Sequence, residues 1–379
     1  MNALYLSLWV FFLVTTPLYL LPSGGPQLAH IPLAQIFSIL FFKSGVSVLR
    51  NTPTRIFGGF AFYALCVNLC YWFFSDLQDY IFLLSSLYLL FNVMTLAVTY
   101  VMATRKNGFA LIYYSLTFIA VVQVCAFFVL GMNFGGARYL AFFNDPNQLS
   151  SWALFSTVVF AAMKQSGKIS VVKFLVGGIA CAALVLLSVS RGGTIALACI
   201  WIIVFWKSPM WVKLILGCVF LISATVLLPY VEEMPFFSRI QTLSEISIGE
   251  DRHWSRVWEF PLYNILGSGA GGYERFDITG MEIHSTLLTV LFSYGIPGVL
   301  FYLSFIKVCV FKTLKNNFVL IFLPLLPTFV SVNMVRMTSL YVMFGVLFAL
   351  MNTKSEKEKW CVRHPRDSHV HRKEIAGNA

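Results

Sequence analysis

Charge is what this chain has least of. Only 11% of its residues are charged, 58% are hydrophobic and the mean hydropathy is +0.78, whereas an ordinary soluble domain carries about 25% charged residues. A water-soluble fold of 379 residues has too little interior to hide so much apolar surface. The apolar runs continue for about 15 to 25 residues, the length that crosses a hydrocarbon core of roughly 30 Å. They do not alternate, which predicts helices and excludes a membrane β-barrel. No basic residue precedes the first run, Leu4 to Leu21, and no clear small-residue cleavage site follows it, so it is expected to be a retained span. Metal-ligand spacing is also missing. Cys66 and Cys70 stand four residues apart with no histidine nearby, and the cysteines inside apolar runs read as buried small hydrophobes. The adjacent acidic pairs Glu232-Glu233 and Glu250-Asp251 read as solvated. Neither a metal nor a cofactor is expected.

What is present is a run of apolar segments divided by basic ones. The expectation is an all-α polytopic membrane protein with about twelve transmembrane helices, at 3–21, 27–42, 56–74, 80–103, 109–131, 147–163, 171–189, 193–206, 211–230, 284–306, 317–333 and 338–352. Val171 to Trp206 would be about 54 Å long as one helix, too long for one crossing. Ser190-Arg191-Gly192-Gly193 puts a charge and two flexible residues near its middle, which predicts a hairpin there. With both termini in the cytoplasm, all but seven of the 27 basic residues fall on the inner side; the outer seven are Arg138, Arg191, Arg239, Arg252, Arg256, Arg275 and Arg336. The formal net charge of +11 is therefore a topology signal and not a nucleic-acid footprint. The layout is helices 1–9 in residues 1–230, an external loop at 231–283, helices 10–12 in 284–352, and a disordered cytoplasmic tail at 353–379. A loop of that length is usually functional.

Three features converge on the outer face. Arg191 stands beside two glycines, where its planar fork suits phosphate oxygens; snorkelling to headgroups is the plainer alternative. The loop carries Arg252-His253-Trp254-Ser255-Arg256 and then Leu266-Gly267-Ser268-Gly269-Ala270-Gly271-Gly272. Aromatic rings there could stack on sugars and arginines hold phosphates, or the segment could lie at the interface. The glycine run could offer backbone N–H donors to an anion. His284 opens the tenth span, where a helix N-terminus disfavours imidazolium; a neutral ring can accept a hydroxyl proton, or donate to a phosphate. Glu282 is a rival base.

In order along the chain, Phe142-Phe143-Asn144-Asp145-Pro146-Asn147-Gln148-Leu149-Ser150, Ser190-Arg191-Gly192-Gly193, Arg252 through Gly269, and His284 through Gly298 with its Gly-Ile-x-Gly break resemble the bacterial O-antigen polymerase and ligase superfamily of membrane glycosyltransferases. The resemblance covers roughly residues 140–305. It implies a twelve-span helical architecture in the inner membrane, an outer active site and a polyprenyl-pyrophosphate-linked oligosaccharide as donor, with membrane lipid and a chain-length regulator protein as partners. Arg191 and Arg252 would contact the pyrophosphate and His284 would be the site histidine, with Arg256, Glu282, Asn147, Trp254 and Gly269 lining the substrate site. Arg252 and Arg256 both compete for the loop-arginine position. The expected activity is polymerisation of repeat units of O-antigen, capsule or exopolysaccharide. Ligation of glycan to lipid A-core is the alternative with the same motifs. A lipid-linked glycan flippase is a third reading, which the lack of Asp or Glu inside any predicted span disfavours.

Overall fold

The structure, a computed structural model, describes residues 3–20, 27–74, 80–130, 138–206, 208, 210, 213, 252–271, 273–276, 281–314, 325, 326, 329 and 332–363. Among them the regular structure is entirely helical. The elements are α1 (Ala3–Thr15), α2 (His30–Ser44) continuing into a 3-10 turn (Gly45–Leu49), α3 (Thr52–Phe74), α4 (Ile81–Ala103), α5 (Gly108–Leu130), α6 (Pro146–Gln165), α7 (Val171–Leu187), α8 (Arg191–Trp206), two single-turn helices α9 (Arg256–Glu259) and α10 (Tyr263–Leu266), a 3-10 turn (Tyr273–Arg275), α11 (Thr286–Leu314) and α12 (Thr338–Arg363). Five segments are long and apolar enough to cross a membrane: His30–Leu49, Thr52–Phe74, Ile81–Ala103, Gly108–Val129 and Thr286–Cys309. The helices α1, α7, α8 and the Thr338–Asn352 part of α12 are apolar but shorter. This is the build of a helical membrane protein. The predicted span 211–230 and most of 317–333 lie outside the described residues, as does the loop before Arg252.

Burial explains why the helices differ in composition. α6 is covered along its whole length from Leu149 to Met163, and α12 from Leu340 to Met351. α12 packs on α4 and α6, and α6 also packs on α7 and α8. A helix enclosed by other helices can carry Ser150, Ser151, Ser156 and Thr157, because small hydroxyl residues let helices approach and back-bond to the turn before; Thr157 donates to the Ala153 carbonyl at 2.8 Å. The outer helices instead present Phe62 and Phe74 (α3), Phe118 and Phe128 (α5) and Ile202 (α8) outward, the surface a hydrocarbon solvent requires. The cysteines correct the expectation of burial: Cys181 and Cys309 are buried, but Cys66, Cys70, Cys125 and Cys199 lie on exposed helix faces. In lipid, an apolar side chain gains nothing from facing inward, so hydropathy alone does not assign the face.

The predicted hairpin forms between α7 and α8, with its turn at 188–190 and Val189 at φ 51°. Arg191 is therefore the first residue of α8. The helix ends sort into two sets. At one, Lys43 lies over the Tyr5 ring at 5.0 Å, Lys168 over Phe109 at 5.1 Å, and Lys164 Nζ donates to Ser208 Oγ at 3.1 Å. At the other, Tyr19 N–H bonds Phe142 O at 2.9 Å and Tyr139 N–H bonds Leu187 O at 3.1 Å. The tail boundary needs correcting too. α12 runs on to Arg363, because Lys and Glu are strong helix formers and residues 353–363 contain neither Gly nor Pro.

Two stretches of non-helical backbone lie buried among the helices, which is tolerated only where protein supplies the hydrogen bonds. α11 is broken at Gly295 (φ 65°, ψ −171°). The break frees the carbonyls of Phe292 and Ser293, and these accept the N–H groups of Ser268 and Gly269, each at 2.9 Å. Residues 332–337 form the second stretch: Thr286 Oγ1 donates to Val332 O at 2.7 Å and accepts from Met334 N–H at 3.1 Å, while Tyr341 OH donates to Val335 O at 2.7 Å.

Candidate functional site

The site builds from His284, two residues before α11. Its backbone N–H donates to the Arg252 carbonyl at 3.1 Å, and Trp254 Nε1 donates to the His284 carbonyl at 3.4 Å. The turn below is closed by Thr289, whose hydroxyl donates to Ile283 O at 2.8 Å. Residues 252–254 thus lie along 283–284, and Val257, Ile283 and Phe292 form a small apolar core beneath them. The imidazole is half-buried. Burial pushes its pKa below the ordinary value of a histidine, the charges of Arg252 and His253 push it the same way, and the Asp145 carboxylate pulls back. The ring is therefore neutral at neutral pH.

Asp145 reaches this field from α6. It caps that helix, accepting from the Asn147 N–H, with Pro146 at the first helical position. Asn147 is held by Arg138, whose Nη2 donates to Asn147 Oδ1 at 3.0 Å while its Nε donates to the Ser188 carbonyl at 3.1 Å. One guanidinium thus ties the start of α6 to the end of α7. The start of α8 joins through Gly193: a Cβ there would collide with Ser150 Oγ in the first turns of α6. Ser150 Oγ is buried without a hydrogen-bond partner. Arg191 is half-buried at this helix start. The first turns of α6 and α8, the end of α7 and the approach to α11 therefore share one end of the bundle.

Not every predicted residue faces the same way. Arg256 is buried, 3% exposed; it donates to the Met281 carbonyl and stands over the Tyr273 ring at 5.9 Å. Of the two loop arginines, Arg252 is the one beside His284. Glu282 forms an ion pair with Arg336 and accepts from Asn333 Nδ2 at 3.0 Å. Its carboxylate clamps the unwound 332–337 stretch to the loop. Gly269 packs against Tyr71 and Phe82. Four amides of the glycine run are taken up inside the protein and are not offered to an anion: Gly267 N–H bonds Tyr263 O at 2.8 Å, Ser268 and Gly269 bond the broken helix, and Ala270 N–H bonds Asn68 Oδ1 at 2.8 Å. Asp145, Arg138 and Arg336 were missed as site residues. The Asp-Pro pair was a readable cap signal; nothing in the spacing joins Arg138 to Asn147 or Arg336 to Glu282. Among the described residues no three His, Cys, Asp or Glu side chains gather as a metal site. No protein-family model matches the chain, and no curated protein matches it.

Proposed function

We propose that this chain is a membrane glycosyltransferase that polymerises polyprenyl-pyrophosphate-linked oligosaccharide units at the outer face of a bacterial inner membrane, as a twelve-span protein with both termini in the cytoplasm. The observation that carries the reading is the half-buried His284 ring, its backbone bonded to Arg252 and its pKa influenced by the charges of Arg252 and Asp145, at the bundle end where Arg191 and the Arg138–Asn147 pair also sit. A hydroxyl of the acceptor sugar attacks the anomeric carbon of the donor. The new glycosidic C–O bond forms as the bond from that carbon to the pyrophosphate oxygen breaks, and both electrons leave with the carrier diphosphate. His284 takes the hydroxyl proton and later returns it to solvent. Negative charge grows on the leaving diphosphate, and fixed guanidinium groups at Arg252 and Arg191 stabilise it without reorganising. The lysines gathered at the opposite helix ends support the cytoplasmic placement of that side.

The test is purified protein incubated with a defined polyprenyl-pyrophosphate repeat unit, alone and with lipid A-core added. A ladder of carrier-linked products is expected. Transfer to lipid A-core without a ladder would replace polymerase with ligase, and neither product would remove the transferase reading.

A further inference from the structure

Between α3 and the long loop runs a groove of about 660 Å³, within the range of roughly 300–1,000 Å³ common to small-molecule sites. Tyr63, Cys66, Cys70 and Tyr71 form one wall and Leu266 the other, and Arg275 is the only charge among the described residues that line it. The groove is a built feature. Tyr63 OH donates to Leu266 O at 3.1 Å, Tyr71 OH donates to Gly267 O at 2.8 Å, and Arg275 is braced by a 2.7 Å bond to Ser268 O and by the faces of Tyr71, Phe82 and Phe276. The apolar surface continues on both sides. Phe74 on α3 is 87% exposed and Leu262 before α10 is 79% exposed, with Trp258 and Ile265 beside it.

We propose that this groove binds one anionic phospholipid of the bilayer. An acyl chain lies along Cys66 and Cys70, the phosphate meets Arg275, and the exposed face of Trp258, Leu262, Ile265 and Leu266 rests in the same leaflet. A lipid is the fitting occupant because the groove is continuous with the hydrocarbon-facing surface of α3. An anionic one fits because Arg275 is the one charge among the described residues of the lining. The site is independent of the transferase reading.

The native thiols report on it. Full-length protein is purified in mild detergent, stripped of lipid and treated with N-ethylmaleimide while phosphatidylglycerol, phosphatidylcholine or a polyprenyl phosphate is titrated in. Peptide mass spectrometry reads each cysteine separately. Phosphatidylglycerol is expected to slow Cys66 and Cys70 by about tenfold at ten times its Kd, more than phosphatidylcholine does, and to leave exposed Cys125 and Cys199 unchanged. Equal slowing of all four thiols, or no slowing, overturns the proposal. Protection by polyprenyl phosphate alone assigns the groove to a carrier lipid and overturns it as well. Cys70→Trp, which fills the groove, should make Cys66 labelling independent of phosphatidylglycerol; retained protection in that variant also counts against the site.

Discussion

His284 gives its backbone N–H to the carbonyl of Arg252 at 3.1 Å. That bond ties the entrance of α11 to residue 252, and the Arg252 charge acts on an imidazole whose pKa burial already lowers. The predictions below begin from that bond and move outward.

His284→Ala removes the proposed proton acceptor at the entrance of α11. The product ladder should fall by about 10²- to 10⁴-fold, the usual contribution of a positioned acid or base. Membrane abundance should stay near that of the parent, because the backbone bond to Arg252 does not need the ring. Unchanged polymer yield would take His284 out of the chemistry.

The pH profile should carry the same signature. A histidine with a lowered pKa stays neutral further into acid, so the acid limb of activity should fall below the ordinary value of about 6.5. Arg252→Gln removes a charge that lowers the pKa, so the limb should move up. Asp145→Asn removes the charge that raises it, so the limb should move down, while asparagine still caps α6. The same sign governs stability: the neutral ring's contribution is complete above the unfolded pKa and declines as pH falls below it. Limbs that move together in both variants would show that the ring is not the titrating group.

The helices and their breaks were legible in the sequence; the partnerships were not. Continuous apolar runs located α1 to α8, α11 and α12, and the Gly-Ile-Pro-Gly break appears at Gly295; the hairpin expected at Ser190–Gly193 forms slightly earlier, at 188–190, with Arg191, Gly192 and Gly193 already in α8. Hydropathy did not reveal that α6 and α12 are enclosed while α3 faces outward, because lipid and protein interior are equally apolar. The second loop arginine also escaped. Arg252 and Arg256 are four residues apart and chemically identical, and only the packing of Val257 under Ile283 turns one into the interior and leaves the other beside His284.

Arg256 should therefore behave as a structural residue. Arg256→Leu loses a charged hydrogen bond to the Met281 carbonyl and the stack on Tyr273, about 1.5–3 kcal/mol. Lower thermal stability and lower abundance are expected, with the activity of the surviving folded protein reduced far less than in His284→Ala. A normal melting temperature with activity lost would return Arg256 to the substrate site.

Arg191→Lys tests whether fork geometry matters at the start of α8. If the residue holds a diphosphate, turnover should drop by about 10²-fold or more, since an ammonium offers no planar pair of donors. A residue that only snorkels to headgroups would tolerate the change, and activity within a few-fold of the parent would identify it as such.

Gly267 and Gly295 are the last test, because each lies against the backbone of the other's segment, Gly267 against Ser293 and Tyr294 and Gly295 against residues 265–267. Gly267 has φ 99° and ψ 160°, Gly295 has φ 65° and ψ −171°, and both values belong to a region essentially reserved for glycine. A Cβ at Gly267 would strike the Ser293 carbonyl, and one at Gly295 would strike the Ile265 carbonyl. Gly267→Ala and Gly295→Ala should each cost about 1–3 kcal/mol in backbone strain alone. Because the two clashes open the same seam, the double variant should be less damaged than the sum of the singles. Additive losses in thermal unfolding would mean that the glycine run and the break in α11 are stabilised separately.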